Sequence, residues 1–152
     1  MQPTVVRYEA PPFGVGELWL DGSRVLWSEL PRPGPGTGSH PVTDLHRRLT
    51  AFFAGGADDF ADVELELDDG FYGDCQRALR RVPRGEVVTY GELAARSARP
   101  RAARAVGMVM NRNPLPIVLP CHRVIGASGK LTGYAGGLER KETLLRLEGA
   151  IL

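Results

Sequence analysis

The chain has 152 residues, 43% of them hydrophobic and 24% charged, proportions that suit a globular protein with one core or two small lobes. No apolar run approaches the ~20 residues that a membrane-spanning helix needs, which excludes a helical membrane protein. The formal net charge of +1 hides an asymmetry: residues 1–70 hold 5 Arg, no Lys and 12 Asp plus Glu, a net of −7, whereas residues 71–152 carry a net of +8, which fits either a polyanion partner for the basic half or two separately solvated surfaces.

Met1-Gln2-Pro3-Thr4 lacks the basic and apolar regions of a signal peptide, so a cytoplasmic protein is expected. In a reducing compartment its two cysteines are expected to be free thiols. Glu17–Leu20 and Val25–Trp27 flank Asp21-Gly22 and predict a β-hairpin. Residues 31–41, rich in Pro and Gly, predict a loop. From Val42 onward, Leu45, Leu49, Phe52 and Phe53 recur at helical spacing, until Gly55-Gly56. Val63–Leu67 alternates like a strand and ends at Asp68-Asp69-Gly70, the expected boundary between lobes 1–70 and 71–152. His40 and His46 have no cysteine or third histidine at a ligand spacing, so no metal is expected.

The second lobe opens with a predicted helix from about Phe71 to Val82, in which Cys75 reads as a small core hydrophobe. Thr89 and Glu92 form a capping-box pattern for a short helix. After Arg99-Pro100-Arg101 a second helix is expected from Ala102 to about Asn111, and the pair reads as a helix-turn-helix. Ala102, Ala103, Ala105 and Gly107 keep that second helix slim, and Arg101 and Arg104 stand at its start. Such a helix can approach phosphates or enter a minor groove about 6 Å wide, although small residues also permit close helix packing.

The stretch Asn113-Pro114-Leu115-Pro116-Ile117-Val118-Leu119-Pro120-Cys121-His122-Arg123-Val124 carries the chemistry. Its prolines predict an extended, non-helical backbone. Two cationic neighbours are expected to favour a Cys121 thiolate, the nucleophilic form. Adjacent side chains on a strand point apart, so His122 is expected to reach Cys121 through a water. A last helix over 139–148 carries Leu144, Leu145 and Leu147. Glu148 follows Leu144 by four and Leu145 by three, so it faces inward, where it needs a partner such as the His122 imidazolium.

These segments resemble the methylated-DNA–protein-cysteine methyltransferases, also called O6-alkylguanine-DNA alkyltransferases. The resemblance runs from about Phe71 to Gly149 through Pro120-Cys121-His122-Arg123-Val124, Asn113-Pro114, Val88–Ala94, Ala102–Gly107 and Gly133–Leu138. It implies an α/β (α+β) protein: a small ribonuclease-H-like mixed β/α N-terminal lobe and a mainly helical C-terminal lobe with a helix-turn-helix. The first lobe resembles its counterpart only in size and strand content. The implied activity is irreversible transfer of an alkyl group from O6-alkylguanine in DNA to Cys121, with O4-alkylthymine as a second candidate substrate. His122 would act as base through a water and Glu148 would orient it. Tyr90 would contact the flipped guanine and the adjacent phosphate, and Asn113 would tie the recognition helix to the active-site strand. Arg104 would fill the gap in the base stack. Ala102, Ala103, Arg101, Arg112 and Arg123 are expected on the DNA side. Met110, Pro116, Val124, Tyr134, Ala135 and Gly136 are expected to line the pocket. The implied partner is double-stranded DNA, bound in the minor groove without sequence preference by a monomer, with no cofactor. A cysteine hydrolase built on Cys121, His122 and Glu148, and a DNA-binding damage sensor without chemistry, are the alternatives.

Overall fold

Alternation of apolar and polar residues builds the first strands of the computed structural model, which describes residues 3–36, 44–134 and 137–151. No element is expected over 4–10 from the sequence, yet β1 (Thr4–Ala10) forms there, with Val6, Tyr8 and Ala10 turned inward. It pairs antiparallel with β2 (Gly14–Asp21), which pairs antiparallel with β3 (Arg24–Arg32) around the expected turn at Gly22, whose φ is +60°. Helix α1 (Asp44–Phe53) buries Leu49, Phe52 and Phe53 and packs on β1, where the Phe53 and Tyr8 rings stack. The expected strand over 63–67 shrinks to one bridge. Val25 donates its N–H to Glu64 O and accepts from Glu66 N–H, each at 2.8 Å. The alternation in this stretch reflects only that Val63 and Leu65 turn into the core, which one bridge suffices to produce.

Gly16 in β2 lies under the buried Tyr8 ring, where an added Cβ would stand 2.2 Å from a ring carbon. Gly16→Ala is therefore expected to destabilise the protein by about 1–3 kcal/mol, the usual range for overpacking a filled core. A urea midpoint unchanged from the parent chain would contradict this packing.

The chain divides into two units, one of Met1–Glu66 with Pro114–Pro116 and one of Leu67–Asn113 with Ile117–Leu152. Pro114–Pro116 join the first unit because the Ser28 N–H donates to Pro114 O and the Ser28 hydroxyl to Pro116 O, both at 2.9 Å. In the second unit α2 (Gly70–Arg80) buries Cys75, Ala78 and Leu79. The short β4 (Val88–Thr89) runs into α3 (Tyr90–Arg96), whose start is the expected capping box: Thr89 Oγ1 accepts from Glu92 N–H and the Glu92 carboxylate from Thr89 N–H. Helix α4 (Ala103–Asn111) packs on α3. β5 (Val124–Ile125) pairs parallel with β4, a ladder too short for periodicity to reveal. Helix α5 (Leu138–Leu147) closes the unit. The chain is thus mixed α/β, as expected. No helix among the described residues is long and apolar enough to cross a membrane.

Candidate active site

The segment after α4 delivers Cys121 through an irregular run, not the extended backbone expected: it turns at Ile117-Val118, where Ile117 takes a φ of +76°, and ends in a second tight turn. Ile117, Val118 and Leu119 are buried, and Cys121–Arg123 then form a 3-10 turn closed by the Arg123 N–H on Pro120 O at 3.0 Å. The sequence predicts extended backbone here, and the turn alters which side chains meet. At three residues per turn, successive side chains diverge by about 120° instead of alternating between two faces. His122 and Arg123 can therefore share one partner while Cys121 has another.

That shared partner is Glu148, at the C-cap of α5, with a fully buried side chain. Its Oε1 accepts from His122 Nε2 at 2.9 Å and from Arg123 Nε at 3.0 Å; its Oε2 accepts from Arg123 Nη2 at 2.5 Å. Arg123 Nη1 donates to Val82 O at 2.7 Å. Burial alone would raise the Glu148 pKa, but the His122 and Arg123 hydrogen bonds outweigh it and hold the carboxyl at about 2. Burial pushes the His122 pKa down despite Glu148, so the imidazole is neutral. A carboxylate can only accept, so the single ring proton sits on Nε2 and Nδ1 is a free base. Nδ1 is buried and has no hydrogen-bond partner among the described residues.

Cys121 is buried, and the Asn113 amide donates both to its Sγ and to Leu119 O, each at 3.0 Å. Asn113 stands two residues past the end of α4, after the C-cap Arg112, so one side chain links the end of that helix to the nucleophile segment. The expected ionised thiolate is corrected here. Burial pushes the thiol up to about 11, against the Asn113 hydrogen bond and the Lys141 charge, which lower it. The two expected cations do not act: Arg123 spends its charge on Glu148, and His122 is neutral. The charge that does bear on the sulfur belongs to Lys141, fully buried on α5. Its Nζ donates to Thr132 O at 2.7 Å and lies 5.7 Å from the Tyr90 ring centre. Burial brings its pKa down to about 8. Sequence reasoning misses Lys141, although it precedes Leu144 by three and Leu145 by four, the phase that turns Glu148 inward. Tyr90 opens α3, and its hydroxyl also donates to Thr132 O, at 3.1 Å.

A model of the DNA-binding domain of 6-O-methylguanine DNA methyltransferase matches residues 70–150. The methylated-DNA–protein-cysteine methyltransferase of Mycolicibacterium paratuberculosis is 50% identical over 127 residues, 83% of this chain and 72% of that protein. Its namesake from Methanosarcina acetivorans is 53% identical over 108 residues, 70% of this chain and 69% of that one. The chain belongs to the methylated-DNA–protein-cysteine methyltransferase family. Among solved structures, the O6-methylguanine methyltransferase of Mycobacterium tuberculosis superposes with a TM-score of 0.80 at 39% identity, covering 98% of this chain and 94% of that one. A Mycobacterium tuberculosis OGT in complex with DNA does so at 0.81 and 40%, covering 97% and 93%.

The remaining expected residues of this methyltransferase-family chain fall in several places. Arg101 and Arg104 are exposed at the start of α4, with Ala102 and Ala103 half-buried between them. Ala102 caps that helix without a side-chain hydrogen bond, and no acidic residue stands in its first turn. Arg112 is exposed and donates to the Tyr72 hydroxyl at 3.2 Å. Arg123, expected on the DNA side, is instead interior: the buried Glu148 carboxylate requires a cation, and Arg123 supplies it. Met110 and Val124 are buried and Tyr134 is half-buried, while Pro116 belongs to the first unit. Ala135, Gly136 and His40 lie outside the described residues.

Proposed function

We propose that this chain repairs DNA directly, taking the alkyl group of O6-alkylguanine onto Cys121 Sγ once per molecule. The observation that carries the reading is the buried thiol held by Asn113 beside a neutral His122 whose proton is fixed by Glu148. The family membership and the likeness to a relative in complex with DNA support it. A buried thiol cannot reach a stacked base, so the damaged guanine rotates out of the duplex, at a cost of a few kcal/mol. His122 Nδ1 takes the Cys121 proton through one water. The thiolate attacks the alkyl carbon: an S–C bond forms and the C–O6 bond breaks. The electron pair stays on the guanine, which Tyr90 protonates as it leaves; the proton on His122 ultimately makes good that loss. The product thioether has no group here to cleave it, so each chain acts once.

Double-stranded DNA is held in the minor groove by the slim, basic start of α4, by a monomer, without sequence preference. Phosphate contacts then dominate affinity, which falls steeply with salt. With duplex in excess, the count of repaired lesions should plateau at one per chain. Repair continuing linearly past that point would overturn the single-use reading. Arg104 replaces the extruded base. Arg104→Ala should slow duplex repair by roughly tenfold or more, because the unstacking cost is no longer offset, and should leave reaction with free O6-methylguanine near the parent rate. Equal losses on both substrates would remove Arg104 from that role.

A further inference from the structure

We infer that Arg84 is a positioning residue for the reaction: from the turn between α2 and β4 it grips the last carbonyl of α5, and so holds Glu148 where that carboxylate fixes the His122 proton. The inference rests on the reading of Cys121 as alkyl acceptor with His122 as its base. It starts from where Glu148 stands. A C-cap is where a helix frays, because the last four carbonyls of a helix lack partners within it. In α5 those carbonyls belong to Leu144, Leu145, Arg146 and Leu147. Backbone N–H groups take the first three: Glu148 N–H donates to Leu144 O at 3.1 Å, Ala150 N–H to Leu145 O at 2.9 Å and Gly149 N–H to Arg146 O at 3.0 Å. Leu147 O, the carbonyl next to Glu148, accepts instead from Arg84 Nη2 at 3.1 Å.

The turn that carries Arg84 is shaped to lie there. Glu86 N–H closes it on Pro83 O at 3.2 Å, and Gly85, its third residue, has a φ of +86°, a conformation that favours glycine. A Cβ built on Gly85 would stand 3.5 Å from Glu148 O, so the turn lies against the backbone of Glu148 itself. Just before the turn, Val82 O accepts from Arg123 Nη1 at 2.7 Å. The segment Val82–Gly85 therefore holds both members of the buried pair, Arg123 through Val82 O and Glu148 through Arg84 and Gly85. Its charge suits the place as well. The C-terminus of a helix is the negative end of its dipole, which disfavours the Glu148 carboxylate and favours a cation. Arg123 answers the carboxylate, and Arg84 answers the backbone beside it. Glu148 Oε1 keeps the ring proton on His122 Nε2 by a bond of 2.9 Å. A C-cap free to fray would let that bond open and the proton populate Nδ1, the nitrogen needed as base.

The test compares the parent chain, Arg84→Met and Arg84→Lys in three measurements. These are single-turnover transfer from saturating O6-methylguanine duplex, affinity for that duplex, and the nitrogen NMR shifts of the His122 ring, which report its tautomer and are assigned among the three histidines of the chain. Arg84→Met keeps the packing of the stem but neither donor nor charge. It should transfer about tenfold or more slowly, the scale on which a small misplacement of a reacting group acts. Its duplex affinity should be unchanged, and its two His122 nitrogen shifts should draw together as the proton divides between them. Arg84→Lys, which still donates to a C-terminal carbonyl, should return most of the rate and the parent shifts. Should Arg84→Met not fold, Arg84→Gln, shorter and neutral, replaces it with the same expectation. A folded Met or Gln variant with the parent's rate and nitrogen shifts, whatever its urea midpoint, makes Arg84 a structural prop only and overturns the inference. A Lys variant as slow as the neutral one overturns it too. The parent chain separates the two claims: if it gains no methyl on Cys121 the functional reading fails, while the nitrogen shifts still report whether Arg84 holds the tautomer.

Discussion

Cys121→Ser protein removes no measurable methyl from an O6-methylguanine duplex yet binds that duplex as the parent chain does. The single-atom change keeps the shape of the side chain and its donor Asn113. It replaces an acid that a neutral imidazole can deprotonate, once an anion is favoured in the pocket, by an alcohol that it cannot. Loss of a nucleophile from an assembled catalytic set costs on the order of 10^4-fold or more, so transfer should vanish from an assay of ordinary sensitivity. DNA affinity should survive because Arg101 and Arg104, which carry the expected DNA contacts, are exposed at the start of α4 and are unchanged in this variant. Transfer assays beside fluorescence anisotropy separate the two properties. Substantial transfer by the serine protein would move the acceptor elsewhere, with Cys75, buried in α2, the other thiol to test.

Glu148→Gln should weaken both the fold and the reaction. The carboxylate receives His122 and Arg123 at one buried point, and glutamine leaves the Arg123 guanidinium without a counter-charge. Breaking a buried pair from one side costs about 3–5 kcal/mol. The amide can also donate to Nε2, which moves the imidazole proton to Nδ1 and removes the base. Transfer should fall by about 10^3–10^4-fold, the scale of a wrong-tautomer histidine. The pH dependence carries the same signature. His122 has a pKa depressed from 6.5, so the neutral imidazole stabilises the fold above that value and the contribution is lost as pH falls below it. Glu148 is depressed from 4.5 to about 2, so its contribution is complete above 4.5 and is lost as pH falls from there toward 2. Urea midpoints of the parent chain should therefore drop in acid in two stages, and Glu148→Gln should lack the second. A variant with the parent's neutral-pH stability and transfer rate would contradict the network.

The pairing of His122 with Glu148 is legible in the sequence because helical phase alone turns Glu148 inward and its charge demands a partner. The capping box at Thr89 and Glu92, and the helix pair that follows, are legible because their signals are local. Arg123 is misread for the opposite reason. An arginine beside a histidine in a basic lobe looks like surface, and only the 3-10 turn over Cys121–Arg123, closed on Pro120 O, swings it onto Glu148. Lys141 is missed because lysine is rarely buried, so composition overrides a spacing that places it with Leu144 and Leu145. β1, β4 and β5 escape for want of a strong turn signal or sufficient length. The ionisation state of Cys121 cannot be read from neighbouring residue types, since it depends on which of their charges are already engaged.

The most direct measurement is mass analysis of the chain after incubation with a duplex holding one O6-methylguanine per strand pair, followed by digestion. A single added methyl on the peptide that contains Cys121, matched by restored guanine in the DNA, is the predicted result. Restored guanine with an unmodified Cys121, or a methyl on any other side chain, would contradict it.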